Sequence, residues 1–119
     1  MTTKQVINLD YREKKNQEII QKVLRQIKPL SKFSDEEDIP FSALEKVIAV
    51  ICKKYMMFIR EFTPDMWVND KYTLWRATII NETNLKTIDQ VYGISLYEVF
   101  AKTAIRLYAE VKSGIKLRN

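Results

Sequence analysis

Thr63-Pro64-Asp65-Met66-Trp67-Val68-Asn69-Asp70-Lys71-Tyr72-Thr73-Leu74-Trp75 is the stretch on which the fold class turns. Its opening reads as a helix start: Thr63 as N-cap hydroxyl, Pro64 at the first helical position, Asp65 near the positive end of the dipole. Phe62 and Trp67 stand at the two positions of a hydrophobic staple. Trp67, Leu74, Trp75, Thr78 and Ile79 then share one face at helical spacing. Against this, Asn69-Asp70 is a breaker, and Tyr72-Thr73-Leu74-Trp75 has the aromatic and β-branched make-up of a strand. No partner strand is evident, and a lone hairpin is marginal in water. On this reading residues 64–84 are helical, as one piece or two, and the fold is all-α.

The flanks are read the same way. Upstream, Ser42 and Glu45 have capping-box spacing and open a helix over residues 42–62. Leu44, Val47, Ile48, Ile51, Tyr55, Phe58, Ile59 and Phe62 make a wide apolar face, with Val50, Cys52, Met56 and Met57 on its flanks. A helix this apolar is expected at the centre of the molecule. Further upstream, Ile20, Val23, Leu24 and Ile27 follow i, i+3, i+4, i+7 spacing and define a helix over residues 10–28, ended by Pro29. Downstream, Thr87 and Gln90 start a short helix that stops at Gly93. Ser95 and Glu98 cap a last helix over residues 95–113, with Gly114 at its end. The expected architecture is a single domain, residues 1–119, built as a bundle of four main helices with one or two short turns. Residues 1–9 and 115–119 are expected to be flexible tails.

Composition excludes several chemistries. Among 119 residues there is no His, one Cys and two Gly. That removes the imidazole base, the Ser-His and Cys-His pairs, the Cys-rich zinc site and the Gly-rich phosphate loop. No residue is singled out as catalytic, metal-ligating or cofactor-binding, and no small-molecule substrate is indicated. The acidic cluster Asp35-Glu36-Glu37-Asp38 lacks the pattern of a calcium loop and reads as a solvated patch or one that meets a basic partner. Cys52 lies within the most apolar helix, where burial quenches a thiol. The start of the chain has no secretory pattern, and charges interrupt the most apolar segment too often for a membrane span. A cytoplasmic protein is expected.

Two surfaces are left to carry function. Val50, Met57, Trp67, Tyr72 and Trp75 are Trp, Tyr, Met and apolar positions of the kind found in interfaces. They support a non-enzymatic protein acting by protein–protein contact, as a regulatory or accessory factor and a candidate homodimer. The net charge of +5 supports a second reading, a nucleic-acid-binding regulator. It would use Lys14, Lys15, Lys22 and Arg25 on the helix over residues 10–28. Alternatively, a degenerate helix-turn-helix over residues 87–108 would present Lys102 and Arg106 to the major groove. Asp89 and Lys102 fall where that motif wants small or apolar residues, and Glu98 near the leading end would repel phosphate.

Overall fold

The middle of the chain is governed by its β-branched and aromatic residues. A computed structural model describes residues 1–65 and 74–113, and its architecture is α+β. The elements run α1 (Thr3–Ile7), α2 (Lys14–Leu24), a 3-10 turn (Lys28–Leu30), α3 (Phe41–Tyr55), β1 (Met57–Asp65), β2 (Leu74–Asn81), β3 (Thr87–Gly93) and α4 (Leu96–Ser113). The strands form one antiparallel sheet in the order β1-β2-β3. This overturns the all-α bundle.

The expected helix over residues 42–62 stops at Tyr55. Met56 adopts a left-handed conformation, φ 56°, and turns the chain directly into β1. Phe58, Ile59, Phe62 and Thr63 are strand-favouring residues once the helical register is broken. The helix start read at Thr63-Pro64-Asp65 lies instead in β1, where Pro64 pairs with Trp75. β1 is an edge strand, the position in a sheet where a proline is tolerated. The rest of the expected helix over residues 64–84 contains β2; residues 66–73 lie outside the described residues.

β2 finds its second partner in the segment expected to be a short helix. Thr87–Gly93 is β3, with Trp75 opposite Gly93 and Ala77 opposite Val91. The connecting turn is built on asparagines. Asn81 accepts at its side chain from the Thr83 N–H (2.8 Å), and Asn84 from the Lys86 N–H (3.0 Å). Leu85 takes the left-handed position there, φ 59°. With β3 a strand, the helix-turn-helix over residues 87–108 has no first helix.

The remaining boundaries are closer. The helix over residues 95–113 is present as α4, with the Ser95 Oγ accepting from the Glu98 N–H at 3.1 Å. The helix over residues 10–28 is reduced to α2, and Pro29 lies in the 3-10 turn. α3 begins one residue early behind Pro40 and has no side-chain cap, so the Ser42–Glu45 box is not used. Residues 1–9 are not simply a tail: Thr2 and Gln5 cap α1 reciprocally, and Val6 is buried. Residues 115–119 lie outside the described residues.

The central helix is α4, not α3. Every residue from Glu98 to Ile105 is buried, more than two turns without an exposed position. A helix buried all round must be enclosed by its neighbours: β3 and β2 on one side, α1, α2 and α3 on the others. α3 is peripheral. It buries Leu44, Val47 and Ile48 and exposes Lys46, Ala49, Val50, Lys53 and Lys54.

Met56 carries a backbone cost that glycine would not. A left-handed L-residue costs roughly 1–2 kcal/mol, against about 0.5–1 kcal/mol of extra chain entropy lost by a glycine. Its side chain is 53% exposed and contributes little packing. Met56→Gly is expected to raise stability by about 0.5–1 kcal/mol in urea unfolding; a loss of stability would mean that the side chain, not the backbone, holds the helix-to-strand turn.

Candidate functional site

Enclosing α4 places its polar positions inside the molecule. Glu98 and Lys102, one turn apart, are 3% exposed each. Lys102 Nζ donates to Glu98 Oε2 at 2.5 Å and to the Leu9 carbonyl at 2.8 Å. The other carboxylate oxygen of Glu98 accepts from the Ile94 N–H at 2.9 Å. A turn further on, Arg106 Nε donates to Asp89 of β3 at 2.7 Å and its Nη1 reaches Glu110 at 2.6 Å. The ladder thereby holds the N-terminal segment, the β3–α4 link and β3 itself to one helix. Gly93 is part of this fit, since a Cβ there would stand 3.0 Å from the Glu98 side chain.

A cleft of about 270 Å³ opens beside the upper pair, between Asp10, Tyr11 and Arg12 on one side and Gln90–Ile94 on the other. Asp10 is held near pKa 2, chiefly by the hydrogen bond from the Arg12 side chain. Glu98 and Lys102 reach its floor, but their hydrogen bonds go to each other and to backbone groups. Chemically the cluster is a set of fasteners.

A second polar node lies at the N-terminal end of α4, where Tyr97 packs against Tyr11. The Ile39 N–H donates to Gln21 Oε1 (2.8 Å), Gln21 Nε2 donates to the Tyr97 hydroxyl (2.9 Å), and that hydroxyl donates to the Ile39 carbonyl (2.6 Å). This closed ring pins the connector between the 3-10 turn and α3 onto α2 and α4. Burial pushes the Tyr97 phenol up to about 12 despite the opposing Gln21 hydrogen bond.

The ring also delivers the acidic cluster. Asp35-Glu36-Glu37-Asp38 lies against Lys14, Lys15, Glu18, Lys22 and Arg25 of α2 and the residue following it, around a cleft of about 690 Å³. Arg25 donates to the carbonyls of Phe33 (3.3 Å), Ser34 (2.5 Å) and Glu37, and sits 3.5 Å from the Asp35 carboxylate. The acidic cluster therefore meets a basic partner within its own chain. Of the cations assigned to nucleic acid, Lys14, Lys15 and Lys22 are exposed. Arg25 is engaged by the connector, Lys102 is buried and Arg106 is paired.

The interface residues separate in the same way. Met57 is 3% exposed, because the left-handed turn at Met56 reverses which of the two methionines faces out. Trp75 is half-buried against the core. Trp67 and Tyr72 lie outside the described residues. Val50 alone stands clear at 57% exposed.

Val50 marks a groove of about 370 Å³ that the sequence reading missed. Its walls come from the 3-10 turn and the residues after it (Ile27 to Phe33), from α3 (Ala43 to Tyr55) and from Tyr108 and Val111 of α4. Apolar side chains make its floor. Among the described residues four lysines, Lys28, Lys32, Lys46 and Lys54, line it, and no carboxylate does. Lys32 and Lys54 lie over the Phe33 and Tyr55 rings at 5.4 and 5.5 Å. The available signal was the repeat Lys46, Ala49, Val50, Lys53, Lys54, which shares one face at i, i+3, i+4, i+7, i+8.

Half-buried Cys52 has its thiol pushed up to about 11 by burial, which suppresses the reactive thiolate. Among the described residues no cluster of three or more Cys, Asp or Glu side chains is placed to hold a metal, and no helix is long and apolar enough to cross a membrane. Comparison with protein-family models, with curated proteins and with solved structures found no match to this chain.

Removing one member of a buried ion pair strands the other. Lys102→Met is expected to destabilise the protein by roughly 3–5 kcal/mol. Glu98→Gln added to it removes the stranded charge while keeping an acceptor for the Ile94 N–H, and is expected to recover a large part of that loss in urea unfolding. A double variant no more stable than Lys102→Met would show that the pair's charge is not what the enclosure of α4 depends on.

Proposed function

We propose that this chain is a non-enzymatic protein that acts by protein–protein contact, and that α3 carries the contact through the groove around Val50. The observation supporting this is an exposed valine in the wall of an apolar-floored groove, on a helix face that also exposes Lys46, Ala49, Lys53 and Lys54. Large apolar side chains exposed inside a concave, apolar-floored surface mark interaction sites more often than isolated ones do. The chemistry of the polar clusters points the same way. The α4 ladder and the Gln21–Tyr97 ring have their groups engaged with other elements of the fold. They hold the N-terminal segment, the sheet and the connector before α3 to the α4 axis.

A photo-crosslinking side chain at position 50 tests this in cells that contain the natural partner. A crosslinked adduct of discrete mass is expected from position 50, and none from a control at exposed Lys86 in the β2–β3 turn. Adducts at neither position, or equally at both, would overturn the reading.

A further inference from the structure

The groove's charge says more than that something binds there. Resting on the reading of α3 as the contact surface, we propose that its occupant is an acidic amphipathic helix of another protein, seated with its apolar face on Val50 and its carboxylates on the lysines along the groove.

Three features carry this. First, among the described residues the four cations lining the groove are lysines and no carboxylate lines it. The nearest acidic residue on α3, Glu45, is not in the groove wall, and the acidic connector residues are turned to α2. Second, the lysines come from both walls. Lys28 and Lys32 stand on the 3-10 side, Lys46 and Lys54 on α3. An occupant between them therefore meets positive charge along both of its edges, which suits a helix with an apolar stripe flanked by Asp and Glu. Third, Lys46, Val50 and Lys54 are spaced i, i+4, i+8, about 12 Å end to end at 1.5 Å per residue. A partner helix lying along α3 can then set its apolar stripe on Val50 while carboxylates on the stripe's flank, about two turns apart, meet Lys46 and Lys54.

The same charge argues against a second copy as the occupant. A two-fold contact sets the same patch against itself, and here that would bring lysine-lined walls together without a carboxylate on either side.

The test uses the full chain and three labelled synthetic helices of about sixteen residues, four turns long. One carries leucines at i, i+4, i+7 flanked by Glu and Asp. The second has every carboxylate changed to its amide, and the third has Lys in those places. Binding is read by fluorescence anisotropy, with circular dichroism confirming that each protein variant is folded. The acidic helix is expected to bind, more weakly as salt rises towards about 0.15 M ionic strength. The amide version should bind more weakly still and the Lys version not at all. Lys46→Glu with Lys54→Glu is expected to weaken the acidic helix roughly tenfold, since each such pair contributes a fraction of a tenfold unit and reversal adds repulsion. Val50→Asp should weaken it as well.

Equal binding of all three helices would overturn the acidic occupant and leave α3 as a contact surface. So would acidic binding that the lysine reversals do not touch. Binding of none of them, with the position-50 adduct still formed in cells, would overturn it too. A dimer in sedimentation that Val50→Asp dissolves would put a second copy in the groove and overturn it outright. Loss of the position-50 adduct is the separate outcome that removes the contact surface itself.

Discussion

Burial of α4 on all sides is the constraint from which the rest of the structure follows. An eighteen-residue helix carrying Glu98, Lys102, Arg106 and Glu110 along one line would ordinarily turn that line to water. Here the line faces the link after α1, β3 and the link from β3 to α4. Each charge must find a partner, because an unpaired buried charge costs several kcal/mol. The partners are drawn from different parts of the chain: the Leu9 carbonyl, the Ile94 amide, Asp89 of β3. Satisfying the helix therefore fixes the N-terminus and the sheet against it.

The N-terminal end of α4 is also fixed by the Gln21–Tyr97–Ile39 ring, and the surface of the molecule is decided there. The ring holds the connector down, which sets its acidic residues beside α2, with Asp35 3.5 Å from Arg25. It also brings the 3-10 turn alongside α3. With α4 occupying the centre, α3 is left outside, and the space between α3 and the 3-10 turn is the lysine-lined groove. One packing decision thus engages Arg25 and Lys102 within the fold and leaves Val50 exposed.

How much of this was legible in the sequence depends on the kind of signal. α4 was legible because a capping pair, apolar periodicity and a terminal glycine agree along its length. Its inner polar line was not, since a buried Glu98–Lys102 pair and a solvated i,i+4 pair have the same spacing. The sheet was missed through two errors that supported each other. β1 was absorbed into the preceding helix because the break at Met56 is made by a non-glycine in a left-handed conformation, which residue type does not announce. β3 reads as a short helix because Thr87 and Gln90 happen to have capping spacing. With both neighbours assigned elsewhere, the strand-like Tyr72–Trp75 had no partner, and helix prevailed. The turn asparagines Asn81 and Asn84, between β-branched runs, were the clue that would have restored the hairpin. The groove needed tertiary structure, since its walls are far apart in sequence, although the Lys-Ala-Val-Lys-Lys face of α3 was readable.

Native-state hydrogen exchange across the chain tests the arrangement most directly, because it ranks the helices by how deeply each is held. If α4 is the enclosed axis and α3 the outer helix, the amides of residues 100–107 exchange slowest and require global unfolding, while those of residues 46–53 exchange measurably faster. The reverse order, with α3 the most protected helix and α4 opening locally, would contradict the structure on which the groove and its function rest.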